Sequence, residues 1–413
     1  MTIELKFPHL DQNTVVLAIG QALFTAAISV DLTLTGLTGY QLAPNKALAT
    51  LPLALIAVAG AIVTLLASYL IDRVGRRAAF IIGSAACASG GAVSVWSVLH
   101  GNFWIFCLGT AGVGVFQAFS GFYRLAAADA VREEKKAAAI SFVLAGGVVA
   151  AILGPVLASW TKDILPVMFA GSYLLVCGLG VASIFLFALA FKDGRGVAST
   201  VQENDTQPRA LAIVFSQPIS WAALANNVIG GAVMMLLMTA APLAAVMSGH
   251  TVDDGAGMIQ WHLVGMYAPS LFAGALIKRF GLARILIAGM ALTAACPIIA
   301  MSSLQVSAFY VALLCLGVGW NFMFVGGTTL LARSYLPVER AKIQGIAEML
   351  RAGVTALTSL AAGPLLQWLG WKQLNLWSLP MLTIAAAMTL YWIRDERRVL
   401  RQRVLDVRAF SNK

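Results

Sequence analysis

A few ionisable side chains stand inside stretches that are otherwise apolar, and these residues have chemistry to offer. Asp31 sits among Ser29, Thr33 and Thr35; Glu348 and Arg351 lie three residues apart; Arg124, Asp129 and His262 are further cases. A charge at the centre of a bilayer costs about 2.5–3.5 kcal/mol on insertion scales, so such a group is a functional candidate by default. Asp31 lies about 25 Å along a helix from Val15, at about 1.5 Å per residue. Three roles are open to it: carrying a coupling proton, binding a polar group of a solute, or accepting structural hydrogen bonds near an outer mouth. Glu348 is the second candidate for a proton. Arg351 shares its helix face and either pairs with it or faces a cavity, where it would bind an anionic or carbonyl group. Arg124 and Asp129 fall at a helix end and read as structural. His262, after Trp261, either packs or binds.

The catalytic alternatives are poorly represented. No nucleotide loop, GxSxG or HExxH pattern occurs. The cysteines Cys87, Cys107, Cys177, Cys296 and Cys315 lie in apolar runs without a CxxC pair, and the four histidines are scattered, so neither a disulfide framework nor a metal site is expected. No enzyme activity and no cofactor are expected.

The elements that must position these residues are membrane helices. Only 11% of the residues are charged, 60% are hydrophobic and the mean hydropathy is +0.84, against roughly a quarter charged in soluble domains. Runs of about 20 apolar residues cross a bilayer as helices. They fall at 14–39, 47–71, 78–99, 102–128, 137–161, 166–191, 217–248, 257–277, 285–303, 305–332, 343–369 and 371–393. Nothing before Val15 resembles an apolar signal core, so no cleaved signal peptide is expected. Apart from Lys46, Lys162, Lys372, Arg124 and Arg351, every basic residue falls in alternate loops, a central linker or the two ends of the chain. By the positive-inside rule both termini are then cytoplasmic, and the net charge of +10 reflects topology rather than nucleic-acid binding. The chain divides into a first six-helix bundle (1–191), a linker (192–216), a second bundle (217–393) and a basic tail (394–413) close to the anionic inner leaflet.

The two bundles repeat each other. Ser68-Tyr-Leu-Ile-Asp72-Arg73-Val-Gly75-Arg76-Arg77 returns as Gly274-Ala-Leu-Ile-Lys278-Arg279-Phe-Gly281, and Gly154-Pro155 returns as Gly363-Pro364. Repeats of this kind build many transporters. Together these residues resemble the major facilitator superfamily, whose signature between helices two and three runs Gly-x-x-x-Asp-Arg-x-Gly-Arg-Arg/Lys. Asp72, Arg73, Gly75, Arg76 and Arg77 match it, with Ser68 in place of the first glycine. The second copy keeps Gly274, Arg279 and Gly281 but has Lys278 at the acidic position. The resemblance implies twelve transmembrane helices in two pseudo-symmetric six-helix bundles, an all-α membrane protein with alternating access. It also implies that the signature loops act as latches, Asp72 pairing across the bundles when the cytoplasmic side closes; the arginines alternatively serve only to hold the loop inside.

In helices that line the cavity of that family lie Gln21, Gln117, Tyr123, Asn226, Asn227, Trp261, His262, Trp320, Asn321 and Arg351. As a set they suit a neutral or weakly charged, planar organic solute. Gly146, Gly147, Gly154 and Pro155 resemble an antiporter motif, but its recurrence in the second half makes it a helix-bending element. Phe106–Gly112 lacks the arginine of drug/proton antiporters. The reading is therefore uptake of a small, neutral or weakly charged organic nutrient, a heteroaromatic vitamin being one example, driven by a proton gradient or else uncoupled, by a monomer in a bacterial-type inner membrane. An exporter of amphipathic compounds and a non-transporting receptor are the alternatives.

Overall fold

A computed structural model describes residues 11–131, 133–192 and 209–411, and the structural statements below concern those residues. The first half is formed by α1 (Gln12–Leu42), α2 (Leu51–Val74), α3 (Arg76–Leu99), α4 (Phe103–Asp129), α5 (Glu133–Thr161) and α6 (Ala170–Ala190). The second half begins with α7 (Pro218–Met247), α8 (Val252–Tyr267, resumed as Ser270–Phe280), α9 (Leu282–Ser302) and α10 (Val306–Ser334). A last helical run, Arg340–Ser411, bends at Gly370 into α11 (340–369) and α12 (371–411). Ten helices are long and apolar enough to cross a membrane among the described residues. One of them, Lys342–Arg398, holds two spans, and α8 is shortened by its break at Ala268-Pro269. The expected twelve spans are all present. Proline lacks the N–H that would continue the ladder, which is why α8 is interrupted. The stretch from 394 to 411, read as a separate tail, continues α12 as helix.

Two glycines are demanded by backbone geometry. Gly75 ends α2 and starts α3 at φ 83° and ψ 165°; Gly281 does the same before α9 at φ 87° and ψ 149°. Side-chain-bearing residues are strained there by roughly 1–3 kcal/mol. The repeated loop is thus repeated in conformation as well as in sequence.

Within each half, small residues bring helices into backbone contact. A Cβ on Gly112 would come within 2.6 Å of the Ala86 carbonyl, joining α4 to α3; one on Gly319 would lie 2.7 Å from the Gly289 carbonyl, joining α10 to α9. On α5, Gly147 lies against Thr25 and Gln21 of α1. Where lipid removes the hydrophobic drive between helices, such close packing supplies the attraction. The Gly147–Pro155 stretch is accounted for by this contact.

The halves meet at one end of the molecule. Lys162, after α5, pairs with Asp253 at the start of α8. The Gly363 N–H of α11 donates to Thr50 Oγ1 at 3.0 Å. Leu32 and Tyr40 pack into the core of the second half, and Val246 and Val252 into that of the first. At the opposite end, which carries the basic loops, the ion pairs stay within a half: Arg76–Asp129 in the first and Arg209–Glu339 on the second. Residues 193–208 of the linker lie outside the described residues. From Arg209 onward the chain docks on the second half, where Val214 is buried with Leu330, Leu331 and Trp392.

Candidate functional site

Accessibility along the helices locates the space between the halves. On α11 the residues Ile343, Ala347, Thr355 and Ser359 recur every four positions and are buried, while Met349 and Leu357 on the far face are exposed. Arg351 stands in the middle of the buried stripe, yet its side chain is 31% exposed, and that of the adjoining Glu348 is 53% exposed. Exposure on the inward face means an opening enclosed by protein, not lipid. Glu348 Oε2 accepts from Arg351 Nε at 3.0 Å and from Nη2 at 2.6 Å. The guanidinium carbon lies 5.9 Å from the Phe324 ring centre on α10, and Phe324 stacks on Trp320 one turn away, at 5.0 Å and 14°. A Cβ on Gly231 of α7 would lie 3.5 Å from Thr355 Oγ1 and 3.8 Å from Arg351 Cγ. Three helices of the second half thus meet around Arg351.

The facing wall belongs to the first half. Gln21, Phe24, Ile28 and Leu32 form a partly exposed stripe on α1. Gln21 Nε2 donates to Thr25 Oγ1 at 3.2 Å. Gln117 of α4 is exposed, and the preceding Phe116 packs edge-on against Phe24 at 5.5 Å.

Other expected cavity residues turn into the bundles instead. Tyr123 is fully buried against Phe80 and Phe187. His262 is fully buried, its Nδ1 2.9 Å from the Leu313 carbonyl of α10. Asn321 donates to the Met266 carbonyl at 2.7 Å and to Ser270 Oγ at 2.5 Å, bracing the break in α8. Asn226 donates to Thr389 Oγ1 of α12 at 2.8 Å and to the Ala222 carbonyl at 2.8 Å. That carbonyl is the one an α-helical Asn226 N–H would use, and α7 widens here into a π turn over Ala225–Ile229. Asn227, 6% exposed, directs its amide towards Gly327 of α10 and leaves Oδ1 without a partner. Trp261 is half-exposed on the outer surface of α8.

Asp31 is also interior. It is fully buried, accepts from Thr35 Oγ1 at 2.8 Å, and belongs to a chain that continues through Tyr173 of α6 to Thr38 at 3.1 Å. Its Oδ2 has no partner. This network joins α1 to α6 and lies off the partly exposed stripe of α1.

At the basic end, Arg76 pairs with Asp129, Arg77 donates to the Ala188 carbonyl and Arg73 lies 4.6 Å from the Tyr69 ring centre. All three arginines are held by the first half. Asp72 is exposed and has no ion pair among the described residues; Lys278 is likewise exposed, and Arg279 lies 5.3 Å from the Phe280 ring centre. On the second half, Glu339 Oε1 accepts from the Arg209 N–H at 2.7 Å and from Nε at 2.9 Å, while Oε2 accepts from Nη2 and from the Leu336 N–H, each at 2.8 Å. These hydrogen bonds, those of Arg209 foremost, pull the Glu339 carboxyl down to about 2 from its ordinary 4.5.

Sequence reasoning missed Phe324, Thr355 and Lys162. The signal available for Phe324 was its four-residue spacing from Trp320; Lys162 registered only as a loop charge.

The profile of the Major Facilitator Superfamily matches residues 14–269 and again 257–405. A protein of Brucella anthropi named riboflavin transporter RfnT is 39% identical over 375 residues, covering 90% of this chain and 94% of its own. A Bacillus subtilis protein, the uncharacterised MFS-type transporter YdeG, is 26% identical and covers 85% of this chain and 84% of its own. Among solved structures, a bacterial homologue of the human lysosomal transporter Spinster, inward-facing and occupied, superposes with a TM-score of 0.69 at 14% identity, covering 92% of this chain and 96% of its own. That last likeness concerns the fold alone.

Proposed function

The chain belongs to the Major Facilitator Superfamily, a multi-pass membrane transporter, and on that premise we propose that it imports a flat, weakly charged heteroaromatic nutrient of the riboflavin class. The observation that carries this reading is the 39% identity to RfnT over nine-tenths of the chain. The geometry between the halves supports it. The exposed groups there are amides, aromatic rings and a single arginine already paired to Glu348. Such a lining suits a planar solute with carbonyl groups better than an inorganic ion.

In this reading the membrane is a bacterial inner membrane and the basic loops face the cytoplasm. The structure is then the state closed outside by Lys162–Asp253 and the Thr50–Gly363 contact. Alternation closes the other end, and Asp72, left over by arginines that are held by their own half, is the latch there. Glu348 carries the coupling proton, because it is exposed towards the substrate space, whereas Asp31 is sealed between α1 and α6. The exposed sheath of Trp104, Trp160, Trp368 and Trp377 meets lipid, and the chain acts as a monomer.

The experiment is growth of a riboflavin auxotroph expressing this chain. Growth at riboflavin concentrations that do not sustain the parent strain is expected, with Glu348→Gln losing the acceleration given by an inward proton gradient. An auxotroph that still needs the parent's riboflavin supplement, despite protein in the membrane, contradicts the reading.

A further inference from the structure

Resting on the riboflavin-class reading, we infer that Trp320, Phe324, Arg351 and Thr355 form a ring subsite that takes the fused heteroaromatic system of the substrate by its flat face and its imide edge. The sugar-alcohol chain is left to the amides of the opposite half.

Four observations converge on it. Trp320 and Phe324 are stacked in parallel, both are partly exposed, and they lie on the inward side of α10. A flat π-system adds to such a shelf by offset stacking. Arg351 holds its guanidinium beside Phe324, and an arginine has five N–H donors in a rigid fork. Glu348 takes two of them through Nε and Nη2, which fixes the fork and leaves three for a ligand. Thr355, one turn along the same stripe, is only 8% exposed, yet its Oγ1 has no hydrogen-bond partner. A buried hydroxyl without a partner costs stability, so one is expected when the site is filled. Finally, Gly231 of α7 lies against this point, a Cβ there coming 3.5 Å from Thr355 Oγ1 and 3.8 Å from Arg351 Cγ, so that α7 forms the third wall beside both residues.

The donor and acceptor pattern selects the ligand. An imide edge reads acceptor, donor, acceptor. Arg351 supplies N–H groups to carbonyl oxygens, and Thr355 Oγ1 can accept from the ring N–H. A fully aromatic hydrocarbon gains the shelf but leaves Thr355 unsatisfied. A free sugar alcohol gains neither.

The test uses the purified full-length protein and three probes: riboflavin, lumiflavin (the same ring with a methyl group in place of the ribityl chain) and ribitol. Flavin emission is followed during titration, because stacking on an indole quenches it. Wild-type protein is expected to bind riboflavin and lumiflavin with quenching, and not ribitol. Trp320→Leu should weaken lumiflavin binding roughly tenfold or more and abolish the quenching of whatever remains bound. Trp320→Phe keeps a ring and should restore affinity without the quenching. Arg351→Gln should weaken both flavins, and Gly231→Leu, which drives a side chain against Thr355 and Arg351 and leaves Trp320 untouched, should do the same. If wild-type protein binds riboflavin but Trp320→Leu and Arg351→Gln hold lumiflavin with unchanged affinity and quenching, the subsite lies elsewhere while the substrate class stands. If wild-type protein binds neither flavin, the substrate class itself falls.

Discussion

The two ends of the molecule are built from the same kinds of residue and are in opposite conditions. At one end an amine that is only 8% exposed, Lys162, reaches from the first half to Asp253 of the second, and a backbone N–H of Gly363 bonds to Thr50. At the other end lie far more charges, yet Arg76 pairs with Asp129 and Arg209 with Glu339, each within its own half or onto it. Charge density therefore does not decide which end is shut. What differs is that Lys162, besides its neighbour Asp163, reaches a partner across the divide, whereas Arg76 and Arg209 are paired on their own halves. A partly buried ion pair adds little net stability but makes a good two-state contact, since it is either made or lost. In the proposed cycle the sparse end holds the present state together, and the dense end supplies the contacts of the other.

The largest effect is expected where the asymmetry of the repeated loops is reversed. Asp72→Lys removes the exposed carboxylate that no arginine of its own loop uses, and transport should fall roughly tenfold or more through like-charge repulsion when the basic end tries to close. Lys278→Asp should change the rate little. Equal losses in the two variants would erase the distinction between the halves.

A several-fold effect is expected at the closed end. Asp253→Asn leaves the little-exposed Lys162 ammonium with only its neighbour Asp163, at 3.7 Å, whereas Lys162→Met keeps the apolar stem and removes the charge. Both should raise the accessibility of Thr50→Cys to an impermeant thiol reagent added from that side, and Asp253→Asn should raise it more. Unchanged labelling in both would mean that the pair is not part of the closure.

The smallest effect concerns the linker anchor. The Glu339 carboxyl sits near 2 in the folded protein and at 4.5 ordinarily. A depressed carboxylate contributes stability that is fully present above about pH 4.5 and lost as pH falls towards 2. Glu339→Gln should therefore lower the melting temperature slightly at pH 7, and the gap from wild type should close as the pH is lowered through 4 towards 3. A gap that stays constant over that range would deny the carboxylate its role.

The twelve spans were legible because lipid demands long apolar runs, and the 6+6 repeat because Gly75 and Gly281 must adopt a conformation that other residues resist. The direction in which each polar side chain points was far less legible. In a water-soluble helix polarity marks the outside; in a membrane helix both lipid and bundle interior are apolar, so periodicity does not tell cavity from core. Asp31, Tyr123, His262 and Asn321 are polar residues buried inside their own bundles, and nothing in their spacing separates them from Gln117 or Arg351. Asn226 and Asn227 lie in a π turn, whose altered phase defeats a 3.6-residue count. Phe324 carries no polar mark at all, and only its stacking on Trp320 and its place beside Arg351 single it out. Pro269 was visible as a residue, but the bracing of its break by Asn321 requires α10 to be in place.

The central claim is that the end now closed and the end now open exchange roles around a riboflavin-class solute. Counterflow tests it most directly, because exchange across a sealed membrane requires both ends to open in turn and needs no coupling ion. Proteoliposomes preloaded with unlabelled riboflavin are diluted into a trace of labelled riboflavin, and the label inside is followed with time. The account predicts a transient overshoot of label that excess lumiflavin outside suppresses. Saturable riboflavin binding to the same protein with no overshoot would contradict it, and would make the chain a receptor.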